Sequence, residues 1–181
     1  MRRTFRRLFA LGIGILTVFL AHTPQATTLV LHGVRTEVYF SPKGGAEEAV
    51  VRTIAQAKRT IHVLAYSFTS SPINTALVQA HARGVNVSVI LDKSQRTAKG
   101  GKLQSLQEAG IPVLMDSAHA IAHNKVMVID TRRVITGSFN FTRSAEERNA
   151  ENLLIIHSRS LSRTYLNNFE IHAQHSQLPL K

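Results

Sequence analysis

The chain has 181 residues, 44% of them apolar and 18% charged, which suits one globular domain of ordinary size with enough material for a real core. It contains no cysteine, so a disulfide framework, a thiolate nucleophile and a thiolate metal site are all excluded. Its formal net charge of +11 points to a polyanionic partner, either nucleic acid or an anionic lipid surface.

The first residues stand apart from the fold. MRRTFRR is a cationic stretch, and LFALGIGILTVFL is an apolar run shorter than the ~20 residues of a membrane span. AHTPQATT then supplies small residues near a cut site. This is the layout of a secretory signal. It predicts residues 1–26 as the signal, cut after Ala26 or retained as an anchor, and 27–181 as a single domain that is periplasmic or secreted. Loss of Arg2, Arg3, Arg6 and Arg7 would take the net charge from +11 to +7.

From Thr36 the pattern alternates between periods of two and 3.6. TEVYF reads as a strand and AEEAVVRTIAQAKR as a helix with Ala49, Val50, Thr53, Ile54 and Ala57 on one face. TIHVLAYSF is a buried strand. Ser70, Ser71 and Pro72 then form a helix start ahead of INTALVQAHAR, which Gly84 closes. VNVSVIL is a third strand, GGKLQSLQEAG a short helix, and IPVLM a fourth strand. NKVMVID and RVITGSF form a hairpin, SAEERNAEN a polar loop, NLLIIH a last strand, and SLSRTYLNNFEIHAQ a closing amphipathic helix. Strands alternating with helices predict an α/β fold, a mixed sheet sandwiched between helical layers.

Residues 123–130, HNKVMVID, place a histidine and a lysine two positions apart inside an apolar run. Alternation along a strand puts His123 and Lys125 on one side. A hairpin loop of even length centred on Thr131 and Arg132 would set His123 opposite Asn140 and Lys125 opposite Ser138, and opposed residues share a face. An imidazole, an ammonium, a hydroxyl and a carboxamide would then converge. Lys125, Ser138 and Asn140 supply donors for phosphoryl oxygens. A neutral His123 can attack phosphorus and hold it covalently. Glu151, in NAEN, is the candidate carboxylate to orient the imidazole. Taken singly each of these is ordinary: an H-x-K on a strand is usually surface decoration, Asp130 a strand-end residue, Glu151 an exposed acid. The joint spacing is what carries the reading.

HNKVMVID followed by GSFN resembles the HKD signature of the phospholipase D superfamily. The likeness continues through YFSPKGGAEEAVVRTIAQAKRTIHVLAYSFTS, INTALVQAHARGVNVSVILD and LQEAGIPV. Short length, one motif and an export signal are most similar to the bacterial Nuc-type endonucleases. The resemblance implies the phospholipase D/nuclease fold, with His123 as nucleophile, Lys125, Ser138 and Asn140 gripping the phosphate, Glu151 orienting the histidine, and Asp130 completing the motif by stabilising the site.

Double displacement on a phosphodiester also needs a group that protonates the leaving oxygen and later activates water. None of the other eight of the nine histidines begins an H-x-K. A two-fold homodimer placing two copies of His123 about one phosphate is the simplest solution. The sequence lacks H-E-x-x-H, clustered carboxylates and a P-loop, so no metal and no cofactor are expected in the chemistry. His119 and His123, four residues apart, flank AIA at a strand start and are not read as metal ligands. Three function classes follow. The first is an exported, metal-independent endonuclease of low specificity acting on DNA, with RNA as a further substrate. The second is a phosphodiesterase of membrane phospholipids. The third is a non-catalytic nucleic-acid-binding dimer.

Overall fold

Strands and helices alternate along the chain in a computed structural model that describes residues 32–179. The signal expected at 1–26 lies outside the described residues. The elements are β1 (Thr36–Ser41), α1 (Ala46–Ala55), β2 (Thr60–Ala65), α2 (Ser71–Ala82), β3 (Asn86–Asp92), a 3₁₀ turn (Lys93–Arg96), α3 (Leu103–Glu108), β4 (Val113–Asp116), β5 (Lys125–Ile129), β6 (Arg133–Gly137), α4 (Arg143–Glu147), β7 (Glu151–Ile156) and α5 (Arg159–His175). One seven-stranded sheet runs in the order β1-β7-β6-β5-β2-β3-β4. β2, β3 and β4 are parallel and every other pairing is antiparallel, so the sheet is mixed as expected.

The two faces of the sheet are covered separately. On one face Val50 and Ile54 of α1, Leu77 of α2 and Leu106 of α3 pack on Ile61, Val63, Val87, Val89 and Met127. Each such side chain, once fully buried, contributes about 1.5–3 kcal/mol. The expected α1 stripe of Ala49, Val50, Thr53, Ile54 and Ala57 is wholly buried. On the other face α5 lays Phe169, Tyr165 and Leu166 over Leu64, Ile90, Val126 and Val128. The alternation of buried residues along β2 and β5 between these two clusters is the period of two that the sequence shows. At the start of α2 the Ser70 hydroxyl accepts the Ile73 amide at 3.1 Å, with Pro72 in the first turn.

Two local expectations need correction. SAEERNAEN is not a loop throughout: Arg143–Glu147 form the short helix α4, capped by the Thr142 hydroxyl, which accepts the Ala145 amide at 3.2 Å. The segment is too short to show a helical period, and only Ala145 in it is buried. Its structural work lies elsewhere in the chain. The Glu146 carboxylate accepts the amides of Gly45 and Glu47 at 3.3 and 2.9 Å, satisfying the free N-terminus of α1.

The second correction is the β5–β6 register. Ile129 pairs with Arg133 and Met127 with Ile135, so the loop is Asp130–Arg132 and the register is one residue away from that expected. Continuing it would put Gly137, not Ser138, level with Lys125. The cause is at Asp130, whose φ of 55° is followed by 51° at Thr131. In that left-handed turn the Asp130 carboxylate accepts the amides of Lys58, Arg59 and Thr60 at 3.0, 2.7 and 3.1 Å. Three amides on one carboxylate repay the turn. At the far end of β6 a bulge reshapes the strand: the amides of Ser138 and Phe139 both donate to the Asn152 carbonyl, at 3.1 and 3.2 Å.

Candidate active site

The strand directions bring one edge of the sheet together. β1, β2, β3, β4 and β6 end there, while β5 and β7 begin there, with Ala65 paired to Lys125 and Ser41 to Glu151. Ligand sites of open α/β sheets favour the carboxyl ends of parallel strands, and this edge carries three of them.

His123 is exposed and sits in the extended lead Ile121–Asn124, outside the regular strand. Its two neighbours are fixed in place. The Ala122 amide donates to Asp92 at 2.7 Å, and the Asn124 carbonyl accepts the Tyr66 amide at 2.8 Å. Burial pushes the Asp92 carboxyl up, but hydrogen bonds from Ser94 and then Ala122 outweigh it and hold the group below the usual carboxylate range. The His123 ring packs against Tyr66 with centroids 4.5 Å apart and planes tilted by 56°. Tyr66 went unread in the sequence. Its only signal was an aromatic directly after a buried strand whose partner begins with the H-x-K.

Lys125 is 7% exposed. Its ammonium donates to the His123 carbonyl at 2.8 Å and lies 5.1 Å from the Tyr66 ring centroid. Burial lowers its pKa, and the nearby Glu151 carboxylate pulls it back. With a single carbonyl partner among the described residues, the buried ammonium keeps two donors for an anion.

Ser138 and Glu151 meet directly: the hydroxyl donates to the carboxylate at 2.5 Å and itself accepts the Asn152 amide at 3.1 Å. The Asn149 side chain gives Glu151 a second bond at 3.0 Å. Among the described residues Glu151 makes no hydrogen bond to His123; its oxygens are taken by Ser138 and Asn149. Gly137 makes the approach of these strands feasible. Its φ is 146°, and a side-chain carbon there would lie 2.3 Å from the Asn152 carbonyl oxygen. Asn140 follows, with a buried Oδ1 that has no hydrogen-bond partner among the described residues. A half-turn of that amide presents Nδ2 instead, a donor awaiting an acceptor. Asp130 is elsewhere: it closes the other end of β5, about 17 Å from Lys125 at strand rise.

A buried cation, an exposed imidazole beside it, and a hydroxyl–carboxylate pair on the neighbouring strand end is a set suited to a tetrahedral anion. The family model described as "Cardiolipin synthase, PLD-like domain" matches residues 50–172, more than half of the chain and all of this edge except β1. The chain belongs to the phospholipase D superfamily. It is similar to Nuc, a phospholipase D family member from Salmonella typhimurium, at 35% identity and a TM-score of 0.76, covering 80% of this chain and 97% of that one. A phospholipase D from Rickettsia prowazekii is 47% identical over 130 residues, 72% of this chain and 63% of the relative's own length. A mitochondrial cardiolipin hydrolase from Xenopus tropicalis is 33% identical over 117 residues, 65% of this chain and 56% of that protein. The seven-stranded sheet with its flanking helices is the fold of that superfamily.

Proposed function

We propose that the chain is an exported phosphodiesterase that cleaves nucleic acid through a phosphohistidine on His123. The observation that carries this reading is the juxtaposition of an exposed imidazole with a buried, under-partnered ammonium at one sheet edge. In the first step a neutral ring nitrogen of His123 attacks phosphorus and the bond from phosphorus to the leaving oxygen breaks. The leaving oxygen takes a proton from a second imidazole. In the second step that imidazole removes a proton from water, which attacks phosphorus and frees His123. Lys125 offsets the charge on the non-bridging oxygens, Asn140 adds a neutral donor, and Ser138 adds another by turning its one hydroxyl proton from Glu151 to the phosphate. Glu151, held by Ser138, lies close enough to Lys125 to act on its charge. Turning the Ser138 proton to the phosphate would leave Glu151 an open oxygen with which to orient the His123 ring.

The second imidazole comes from a second copy of the chain. One H-x-K per chain supports this, and so does an apolar patch on the edge strand. Val38 and Phe40, 51% and 67% exposed, sit on the same face of β1. That strand's last residue pairs with Glu151, so a subunit seated there lies beside the site.

Nucleic acid is favoured by the chain's basicity and by the similarity to Nuc across nearly all of that protein. The phospholipid reading is favoured by the names of the Rickettsia and Xenopus relatives. The patch itself recognises only a phosphodiester. The test is purified protein with plasmid DNA and with phosphatidylcholine vesicles, each with and without added Mg²⁺. Nicking of the plasmid, unchanged by Mg²⁺, is expected. Headgroup release without nicking would move the substrate to lipid, and cleavage seen only with Mg²⁺ would overturn the metal-free step.

A further inference from the structure

Beside the candidate site, and outside the residues assigned to it, four side chains gather from three parts of the chain. Asp116 ends β4, His119 lies in the loop after it, and His172 and His175 occupy the last turn of α5. Their spacing of three places the α5 pair on one helix face. The backbone builds the meeting. Past α5 the chain turns to pair with β4: the Met115 amide donates to the Gln177 carbonyl at 2.7 Å, and the Gln177 amide donates back at 3.1 Å. That ladder sets the end of α5 against Asp116.

The geometry is that of a cation site. Asp116 is completely buried, and one of its oxygens, Oδ2, is met by His119 Nδ1 at 3.0 Å, His172 Nδ1 at 2.7 Å and His175 Nε2 at 3.3 Å. The four ligand atoms all lie within 4.8 Å of one another. Bonds of about 2.0–2.2 Å in a tetrahedron separate neighbouring ligand atoms by about 3.3 Å, so small shifts would seat an ion among them. Three ring donors also crowd one carboxylate oxygen, which has room for about two. The other oxygen, Oδ1, accepts the Ala118 amide at 3.1 Å, which fixes the carboxylate from behind, and His119 Nδ1 straddles the two oxygens, also 3.1 Å from Oδ1. The three rings stand 5.0–5.3 Å apart, centroid to centroid. Three imidazole nitrogens disfavour Mg²⁺ and Ca²⁺, which prefer oxygen, and suit a late first-row ion.

We propose that Asp116, His119, His172 and His175 form a structural Zn²⁺ site that ties the end of α5 to the loop leading into His123. The site takes no part in phosphoryl transfer. Its ligands lie at the end of β4, on the loop 117–124 and on the helix opposite, and the outer nitrogen of His172 lies 3.5 Å from the Asn124 amide, next to His123 in sequence. His119 does not pair with His123, its neighbour four residues on, but joins two histidines from the far end of the chain. The sequence hides the set because its members span 60 residues and the α5 pair reads as the polar side of an amphipathic helix.

The experiment uses the untagged full chain, stripped of metal and titrated with Zn²⁺ alone by calorimetry. One Zn²⁺ per chain is expected, with the melting temperature rising by about 5 °C or more at 100-fold excess over Kd. Co²⁺ in place of Zn²⁺ should give the intense visible bands of a tetrahedral site. Asp116→Asn removes the buried charge and should weaken binding by 100-fold or more. His175→Gln, at a half-exposed helix end where folding is not at stake, should weaken it by at least 10-fold. Both variants are read by affinity and not by turnover, so the outcome is separate from that of the nuclease reading. Binding only at millimolar Zn²⁺, a six-coordinate Co²⁺ spectrum, or unchanged affinity in His175→Gln would overturn the proposal.

Discussion

The two ends of β5 carry polar residues of one sequence motif and are built for opposite purposes. At Asp130 the carboxylate is saturated: it accepts three consecutive backbone amides from the α1–β2 connection and lies 3.8 Å from Arg133. At Lys125 the ammonium is buried, lowered in pKa by that burial, and bonded to one carbonyl. A saturated charge stabilises a fold, whereas an under-partnered buried one costs stability and leaves capacity for a ligand. Adjacency in a motif is therefore not adjacency in function. His123 and Lys125 face the candidate site, and Asp130 belongs to the hairpin that presents them.

The comparison breaks most directly at His123. His123→Asn should lower phosphodiester cleavage by more than about 10⁴-fold while leaving the melting temperature unchanged. Mixed in excess with wild type under conditions of subunit exchange, it should depress activity below simple dilution, because each hybrid dimer lacks one of its two histidines. A strictly proportional fall, with exchange confirmed, would mean that each chain works alone.

Lys125→Met comes next, with a loss of about 10²–10³ in rate. Its stability effect has the opposite sign. The folded chain holds the Lys125 proton less tightly than the unfolded chain does, so the charge weakens the fold at every pH below its folded pKa. That penalty fades as pH rises toward and beyond the ordinary lysine value of about 10.4. Lys125→Met should therefore melt higher than wild type at neutral pH, with the gap narrowing in alkali. A lower melting temperature would show that Lys125 is a structural cation.

At the other end the expectation reverses. Asp130→Ala should cost about 2–4 kcal/mol of stability through three lost amide bonds and a strained turn, while rate per folded molecule stays within about threefold of wild type. Urea unfolding alongside turnover checks both halves. Asp130→Asn, which keeps an acceptor and tolerates the left-handed turn, should lose only about 1 kcal/mol.

Much of this architecture is legible in the sequence. The alternation of periods marks all seven strands, the α1 face is buried as its spacing predicts, and Ser70 caps α2. The convergence of His123, Lys125, Ser138 and Glu151 on one edge follows from strand direction alone. What failed to show were features decided by distant contacts. The parity of the β5–β6 loop is set by Asp130 reaching amides some 70 residues back, and a one-residue difference there moves Ser138 off the level of Lys125. A glycine-centred bulge then reshapes the end of β6, and bulges leave no period to read. α4 is a single turn whose Glu146 serves a helix 99 residues away. The sequence suggests an imidazole partner for Glu151, whereas in the structure its carboxylate rests on Ser138 and Asn149.

The central claim is that phosphorus becomes bonded to His123. A phosphodiester substrate labelled at phosphorus, mixed with excess enzyme and quenched in base within one turnover, tests it directly. Label should travel with the peptide containing His123, survive alkali, and be released by mild acid, as a phosphoramidate is. Label on Ser138, or turnover with no protein-bound phosphorus at any time point, would contradict the account.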